Sequence, residues 1–128
     1  MNKTVIFLCG LIGSGKTTFA RNNFKIFTDL DYLPPHSTKI NQVEWTKRLL
    51  KNHDEVCHIT CYPKLEEIKS FEGYNIRYLL INPNLNQAKT NILTRSRPRD
   101  MENLKRVFDA NKEYLRKYQR ANIRWEII

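Results

Sequence analysis

Apolar residues along the chain form short continuous runs that alternate with longer amphipathic stretches. The first run, Thr4 to Cys9, is apolar and rich in β-branched residues, which is typical of a strand buried on both faces of a parallel sheet. Similar short runs predict four more strands, over 25–28, 55–61, 76–81 and 125–128.

Helical spacing of apolar residues predicts helices between these strands. The first four cover about 16–24, 41–52, 65–71 and 84–94. A long fifth helix is predicted to follow Asp100 as its N-cap, with apolar positions at Met101, Leu104, Val107, Phe108, Leu115 and Tyr118. Strands that alternate with helices predict an α/β fold with a largely parallel sheet of five strands, because parallel neighbours need a helical crossover.

Length and composition agree with one globular domain over residues 1–128, since 41% of the residues are hydrophobic and 27% are charged. No apolar run reaches the length of a membrane span, and Val5 to Cys9 is too short for a signal peptide. We therefore expect a soluble, cytoplasmic protein with no membrane partner. The histidines, and the pair Cys57 and Cys61, are expected to pack rather than react or bind metal.

The net charge of +9 adds a prediction about partners, because an excess of basic side chains favours a polyanionic partner. Residues 87–128 hold 11 of the 22 basic side chains and 5 of the 13 acidic ones, so the last third of the chain carries most of the excess.

The residues Gly10-Leu11-Ile12-Gly13-Ser14-Gly15-Lys16-Thr17 fit the phosphate-binding pattern G-x-x-x-x-G-K-[S/T], between a predicted strand and a predicted helix. Glycines let backbone N–H groups converge on phosphate oxygens, and the helix N-terminus adds a favourable potential. Residues 10–17 and Thr18 are therefore the candidate ATP-binding residues. Lys16 would reach the β- and γ-phosphates, and the Thr17 hydroxyl would ligate Mg²⁺.

Two carboxylates follow the second predicted strand, Asp29 and Asp31. In a doubly wound sheet they reach the same edge as the phosphate-binding loop. There, one carboxylate can accept a proton from an acceptor hydroxyl and one can hold Mg²⁺. Asp29 is the candidate for Mg²⁺, whereas the spacing leaves open which of the two is the base.

Arg95, Arg97 and Arg99 lie in a proline-interrupted segment between two predicted helices, which we call the arginine lid (residues 95–99). Such a segment can close over ATP and offset the charge that develops on a transferred phosphoryl group. Arg95 and Arg97 are candidate catalytic residues, and Arg99 is a candidate ATP contact. Spacing alone does not identify the arginine that points inward.

These motifs together resemble the small P-loop kinases, and among them the kinase domain of phage-type polynucleotide kinase. The resemblance covers the phosphate loop, the acidic pair with Tyr32, and the stretch from Leu93 through Leu115. It implies a three-layer fold with a short arginine lid, ATP and Mg²⁺ as cofactors, and a phage protein acting in the host cytoplasm. The Asp-x-Asp spacing also resembles shikimate and gluconate kinases. Unlike the polynucleotide kinases, the chain has Leu33-Pro34-Pro35 in place of an arginine and Thr60-Cys61-Tyr62-Pro63 in place of an acid.

The sequence thus predicts a kinase that transfers the γ-phosphate of ATP to a hydroxyl group of a nucleic acid or nucleotide, as the resemblance and the positive charge favour. A small-metabolite kinase of the shikimate or gluconate type is the alternative. A third possibility is an NTP-binding or NTPase module that has no kinase acceptor. Oligomeric state and the identity of the acceptor do not follow from the sequence.

Overall fold

A five-stranded parallel sheet forms the centre of the computed structural model, which describes residues 2–128. The strands are β1 (Thr4–Cys9), β2 (Phe27–Thr28), β3 (Glu55–Thr60), β4 (Asn75–Leu80) and β5 (Glu126–Ile127). Their order across the sheet is β2-β3-β1-β4-β5, and each neighbouring pair is parallel. The predicted α/β fold with a five-stranded parallel sheet is therefore confirmed.

Within residues 2–128, six α-helices and one short 3₁₀ helix (Leu30–Tyr32) connect the strands and flank the sheet. The α-helices are α1 (Lys16–Asn23), α2 (Lys39–Leu50), α3 (Leu65–Ser70), α4 (Leu85–Arg95), α5 (Pro98–Met101) and α6 (Leu104–Arg120). The central strand β1 packs its alternating side chains into two cores, with Val5 and Phe7 in one and Ile6 and Leu8 in the other. This two-sided burial explains why its sequence is continuously apolar. No helix among residues 2–128 has the length and apolar character that a membrane crossing requires.

Several predicted boundaries differ from the structure. The second and fifth strands contain only two residues each, at opposite edges of the sheet, where each has a single neighbour to pair with. Strand β3 ends at Thr60, so Cys61 lies beyond the strand and lines a cleft, whereas Cys57 is buried as expected. Helix α2 begins at Lys39, two residues earlier than predicted, because the Thr38 N–H donates to the Asn41 side chain in a capping box.

The predicted long helix is present as α6, but its predicted N-cap at Asp100 is wrong. Helix α4 continues through Arg95 and ends where Ser96 adopts a left-handed conformation with φ of 48°. Pro98, whose ring fixes φ, then starts the separate short helix α5, and α6 begins only at Leu104. Asp100 lies inside α5, where its buried carboxylate accepts a hydrogen bond from Arg95 at 3.1 Å instead of capping a helix. Met101, a predicted core position, is exposed.

The strand order brings the functional candidates to one edge of the sheet. The phosphate-binding loop follows β1, the two aspartates follow β2, and β3 lies between these strands. Since all three strands are parallel, their carboxyl ends open on the same side.

Candidate active site

A cleft of about 810 Å³ opens at the carboxyl ends of β1, β2 and β3. Its walls come from the phosphate-binding loop, the segment after β2, the end of β3, the arginine lid and helix α6. The sequence-predicted residues that line it are Ile12, Gly13, Ser14, Gly15, Lys16, Thr17, Thr18, Asp29, Asp31, Arg95, Arg97 and Arg99. Gly10 and Leu11 lie at the start of the loop and do not line the cleft.

The phosphate-binding loop depends on two glycines with left-handed backbones. Gly13 has a φ of 83° and Gly15 has a φ of 88°. At Gly13 the space is also closed, because a Cβ atom would lie 2.8 Å from the carbonyl oxygen of Ala88 and 2.8 Å from the Ile92 side chain. Helix α4 therefore packs directly on the loop, and only glycine satisfies both requirements.

Lys16 is held over the start of the same loop. Its ammonium group donates to the carbonyl oxygens of Gly10 and Leu11 at 3.1 and 2.8 Å. It also lies 3.6 Å from the Cys61 sulfur at the end of β3. The lysine at the first position of α1 thus brings a positive charge to the phosphate-binding loop at the N-terminus of that helix.

Thr17 and Asp29 form the oxygen-rich part of the site. The Thr17 hydroxyl donates to one carboxylate oxygen of Asp29 at 2.8 Å, and the Asp31 N–H donates to the other at 3.0 Å. Asp29 is only 7% exposed, so its position is well defined. A hydroxyl and a carboxylate are ligands that suit Mg²⁺, which typically takes few protein ligands and completes its shell with water and phosphate oxygens.

Thr17 and Asp29 supply few metal ligands, and the described residues offer no larger cluster of ligating side chains. Among residues 2–128, no group of three or more His, Cys, Asp or Glu side chains could hold a metal ion. A cation in the cleft would therefore depend on Thr17, Asp29 and the oxygens of a bound nucleotide.

Asp31 meets the arginine lid across the mouth of the cleft. Arg99 donates to both of its carboxylate oxygens, at 3.0 and 2.8 Å, and Arg97 lies 3.6 Å away. The hydrogen bonds from Arg99 and the positive charge of both arginines hold the pKa of Asp31 below its usual range. Arg95 lines the same cleft and pairs with Asp100. The segment expected to be a loop is thus partly helical and ion-paired.

Sequence reasoning missed three lysines that line the cleft, Lys39, Lys64 and Lys117. The Lys39 ammonium donates to the side-chain oxygens of Gln42 and Thr60 at 3.2 and 3.1 Å. Lys117 extends from α6 and lies 5.7 Å from the ring centres of Tyr62 and of Tyr114. Nothing in the local sequence distinguishes these lysines from the exposed ones, because they meet only through the tertiary fold.

The Lys39 ammonium lies near a buried pair of polar side chains, His58 and Glu67. His58, fully buried, lies 2.8 Å from the Glu67 carboxylate through Nε2 and 2.8 Å from the Thr46 hydroxyl through Nδ1. Burial lowers the pKa of His58, so the neutral ring donates its Nε2–H to Glu67. Burial alone would raise the pKa of Glu67, but the hydrogen bond from His58 and the charge of Lys39 hold it below its usual range. The ionised Glu67 lies 4.0 Å from the Lys39 ammonium.

A parallel sheet of this order, with a phosphate-binding loop after its central strand, defines the P-loop kinase fold. Among the solved structures that match, a gluconokinase from Sinorhizobium meliloti 1021 has a TM-score of 0.60 and 17% sequence identity. The match covers 98% of this chain and 81% of the gluconokinase chain. No family model matches the sequence, and no curated protein matches it either.

The structural match shows the fold that the resemblance to P-loop kinases implied. It does not support the narrower resemblance to phage-type polynucleotide kinase, and nothing in the comparisons supports a phage origin or a nucleic-acid acceptor.

Proposed function

We propose that the protein is an ATP-dependent kinase that transfers the γ-phosphate of ATP to a hydroxyl group of a small anionic molecule. The observation that carries this proposal is the direct contact of Thr17 with Asp29, beside a phosphate-binding loop and across the cleft mouth from two arginines. Phosphoryl transfer needs mainly positioning and charge compensation, so these groups are sufficient for the reaction.

On the nucleotide side, the backbone N–H groups of the loop and the Lys16 ammonium would bind the phosphates of ATP. Thr17 and Asp29 would hold Mg²⁺, which offsets the negative charge of the phosphate oxygens. Thr18 follows in the first turn of α1 and lines the same cleft. Arg95, Arg97 and Arg99 are proposed to steady the transferred group from the lid.

The proton of the acceptor hydroxyl is proposed to pass to Asp31. Both carboxylate oxygens of Asp29 already accept hydrogen bonds, one of them from Thr17, and its burial suits a fixed metal ligand. Asp31 is more exposed and faces the cleft mouth, where an acceptor molecule enters. When phosphate oxygens attract Arg97 and Arg99, the Asp31 carboxylate becomes free to accept a proton.

The charge of the cleft supports an anionic acceptor. Three acidic side chains line it, Asp29, Asp31 and Asp100, and each is hydrogen-bonded or ion-paired. Three further lysines line the cleft toward the end of β3 and α6, and they are distinct from the lysine and arginines assigned to ATP. We call this part of the cleft the acceptor wall; its lysines are Lys39, Lys64 and Lys117. A carboxylate or phosphate on the acceptor would complement these lysines, and a gluconokinase as structural neighbour favours a small molecule.

A nucleic-acid hydroxyl is the second candidate acceptor. The observation that favours it is the net charge of +9, concentrated in the last third of the chain. A basic surface of this kind attracts the phosphates of an oligonucleotide.

Transfer of labelled γ-phosphate from ATP tests these candidates. The acceptor panel contains sugar acids, sugar phosphates, their uncharged sugars, nucleosides, and DNA and RNA oligonucleotides with a 5′-hydroxyl. Lys16→Ala should abolish transfer, whereas Lys25→Ala, at an exposed lysine outside the cleft, should leave it unchanged.

Label on an anionic small molecule, and not on its uncharged counterpart, would support the proposal. Label on an oligonucleotide would establish the second candidate instead. Release of phosphate without a labelled acceptor would point to an NTPase, and transfer that survives Lys16→Ala would remove the phosphate-binding loop from the mechanism.

A further inference from the structure

Two asparagines from distant parts of the chain hold the backbone of the phosphate-binding loop. Asn111 of α6 is 2% exposed, and its side chain makes two hydrogen bonds to one residue of the loop. The Ile12 N–H donates to its Oδ1 at 2.8 Å, and its Nδ2 donates to the Ile12 carbonyl oxygen at 2.9 Å. Asn91 of α4 donates to the next carbonyl oxygen, that of Gly13, at 2.8 Å.

These bonds determine which way the peptide groups of the loop face. A phosphate group is bound by N–H groups and repelled by carbonyl oxygens, so a loop that binds phosphate must turn its carbonyl groups away. A carbonyl oxygen that accepts a hydrogen bond from an asparagine on a packed helix keeps pointing toward that helix, away from the phosphates. The loop itself supplies little of this order, since its internal backbone bond within residues 11–14 is the one from the Ser14 N–H to the Leu11 carbonyl at 3.0 Å.

The same two helices also flank the arginine lid. Helix α4 carries Asn91 one turn before Arg95, and α6 begins shortly after the lid. The helices therefore fix both the loop carbonyls and the ends of the arginine segment. A shift of either helix would change the loop and the lid together.

We propose that Asn111, assisted by Asn91, is a positioning residue that keeps the carbonyl groups of Ile12 and Gly13 away from the phosphates of the bound nucleotide. The role rests on the proposed function only in that the loop must bind a nucleotide. It does not depend on the acceptor. Neither asparagine needs to touch ATP.

The test replaces Asn111 with leucine, which has the same branching at Cγ and no polar group. The dissociation constant of MgATP, measured by calorimetry, should rise about tenfold or more, because the partly buried Ile12 peptide loses both partners. The kcat at saturating MgATP should change less than the KM for ATP. Amide hydrogen exchange in residues 10–15 of the nucleotide-free protein should become faster.

Leu115→Ala is the control, because Leu115 is a half-buried apolar residue of the same helix that does not line the cleft. It separates loss of loop order from loss of stability. If Asn111→Leu fails to fold, Asn91→Ala at a half-buried position takes its place, with an expected rise in the dissociation constant of about threefold or more.

An unchanged dissociation constant together with unchanged exchange in the loop would overturn the proposal. So would an equal loss of affinity in Leu115→Ala at the same loss of stability. A wild-type protein that binds MgATP and transfers phosphate to no acceptor would overturn the proposed function and leave the role of Asn111 standing. A wild type that transfers phosphate, with Asn111→Leu binding MgATP equally well, would overturn the role of Asn111 alone.

Discussion

Replacing Asp31 with asparagine should tighten the binding of MgATP while it slows phosphate transfer. In the structure Arg99 donates to both oxygens of the Asp31 carboxylate, and Arg97 lies 3.6 Å from it. The two arginines that are expected to bind phosphate are therefore occupied by the residue that is expected to act as the base. An asparagine cannot form this ion pair, so both arginines would be available to the nucleotide from the start.

The exposure of the ion pair limits how much MgATP binding and stability can change. The Asp31 and Arg99 side chains are 42% and 60% exposed, so solvent screens the pair and it contributes at most about 1 kcal/mol. Release of that energy would tighten MgATP binding by up to about fivefold, and the free energy of unfolding should fall by no more than about 1 kcal/mol. Loss of the proton acceptor should lower kcat by about 10²- to 10⁴-fold.

Calorimetric titration gives the dissociation constant of MgATP, and steady-state transfer to the identified acceptor gives kcat. Glu126→Gln is a matched control, because it breaks another exposed pair in which an arginine, Arg77, donates to both carboxylate oxygens, at 2.9 and 2.7 Å. That pair joins β4 to β5 and lies outside the cleft, so neither the affinity nor kcat should change. The gain in affinity should shrink as the salt concentration rises.

Two results would refute this reasoning. Weaker binding of MgATP in Asp31→Asn would show that the ion pair does not compete with the nucleotide. An unchanged kcat would show that Asp31 is not the base, and the role would then pass to Asp29.

Other positions give further tests of the fold and the site. Gly13→Ala should weaken MgATP binding at least about tenfold in calorimetry, because its Cβ would lie 2.8 Å from the Ala88 carbonyl oxygen; Gly73→Ala, with a similar φ and open space, should leave binding unchanged. Lys39→Ala should raise the KM for the anionic acceptor about tenfold or more and leave the KM for ATP unchanged in initial-rate measurements; equal effects on both would contradict its place on the acceptor wall. Because burial lowers the pKa of His58, the unfolded chain takes up a proton first as the pH falls. The free energy of unfolding in urea should therefore decrease below about pH 6.5, and a flat profile between pH 5 and 7 would contradict a buried neutral histidine.

Local patterns predicted the parts of the site that lie close together in the chain. The phosphate-binding loop is one contiguous segment whose glycines carry its conformation, so its motif could be recognised directly. The placement of Asp29 also followed from the sequence, because parallel strands end at a common edge. The parallel sheet itself followed from the buried runs of apolar residues.

Side-chain pairings that no local motif encodes could not be predicted in the same way. The lid is shaped by the pairing of Arg95 with the buried Asp100, which no helical propensity encodes. The bonds from Arg99 to Asp31 join residues 68 positions apart. Asn111 did carry a signal, since it lies on the same face of α6 as Val107 and Tyr118, where a polar residue needs a buried partner.

The end of β3 also shows how this cleft differs from the pattern of the polynucleotide kinases. At the strand end where the polynucleotide kinases have an acid, Thr60 accepts a hydrogen bond from Lys39 and donates one to the Tyr62 carbonyl oxygen. The strand end therefore belongs to the wall lined by lysines rather than to the oxygen-rich part at Thr17 and Asp29. In the proposed mechanism Mg²⁺ would be held beside β2, by Thr17 and Asp29, and the acceptor would face the lysines toward α2 and α6. Glu67 already lies 4.0 Å from the Lys39 ammonium, and a second carboxylate at position 60 would further reduce the positive charge that is proposed to attract the acceptor.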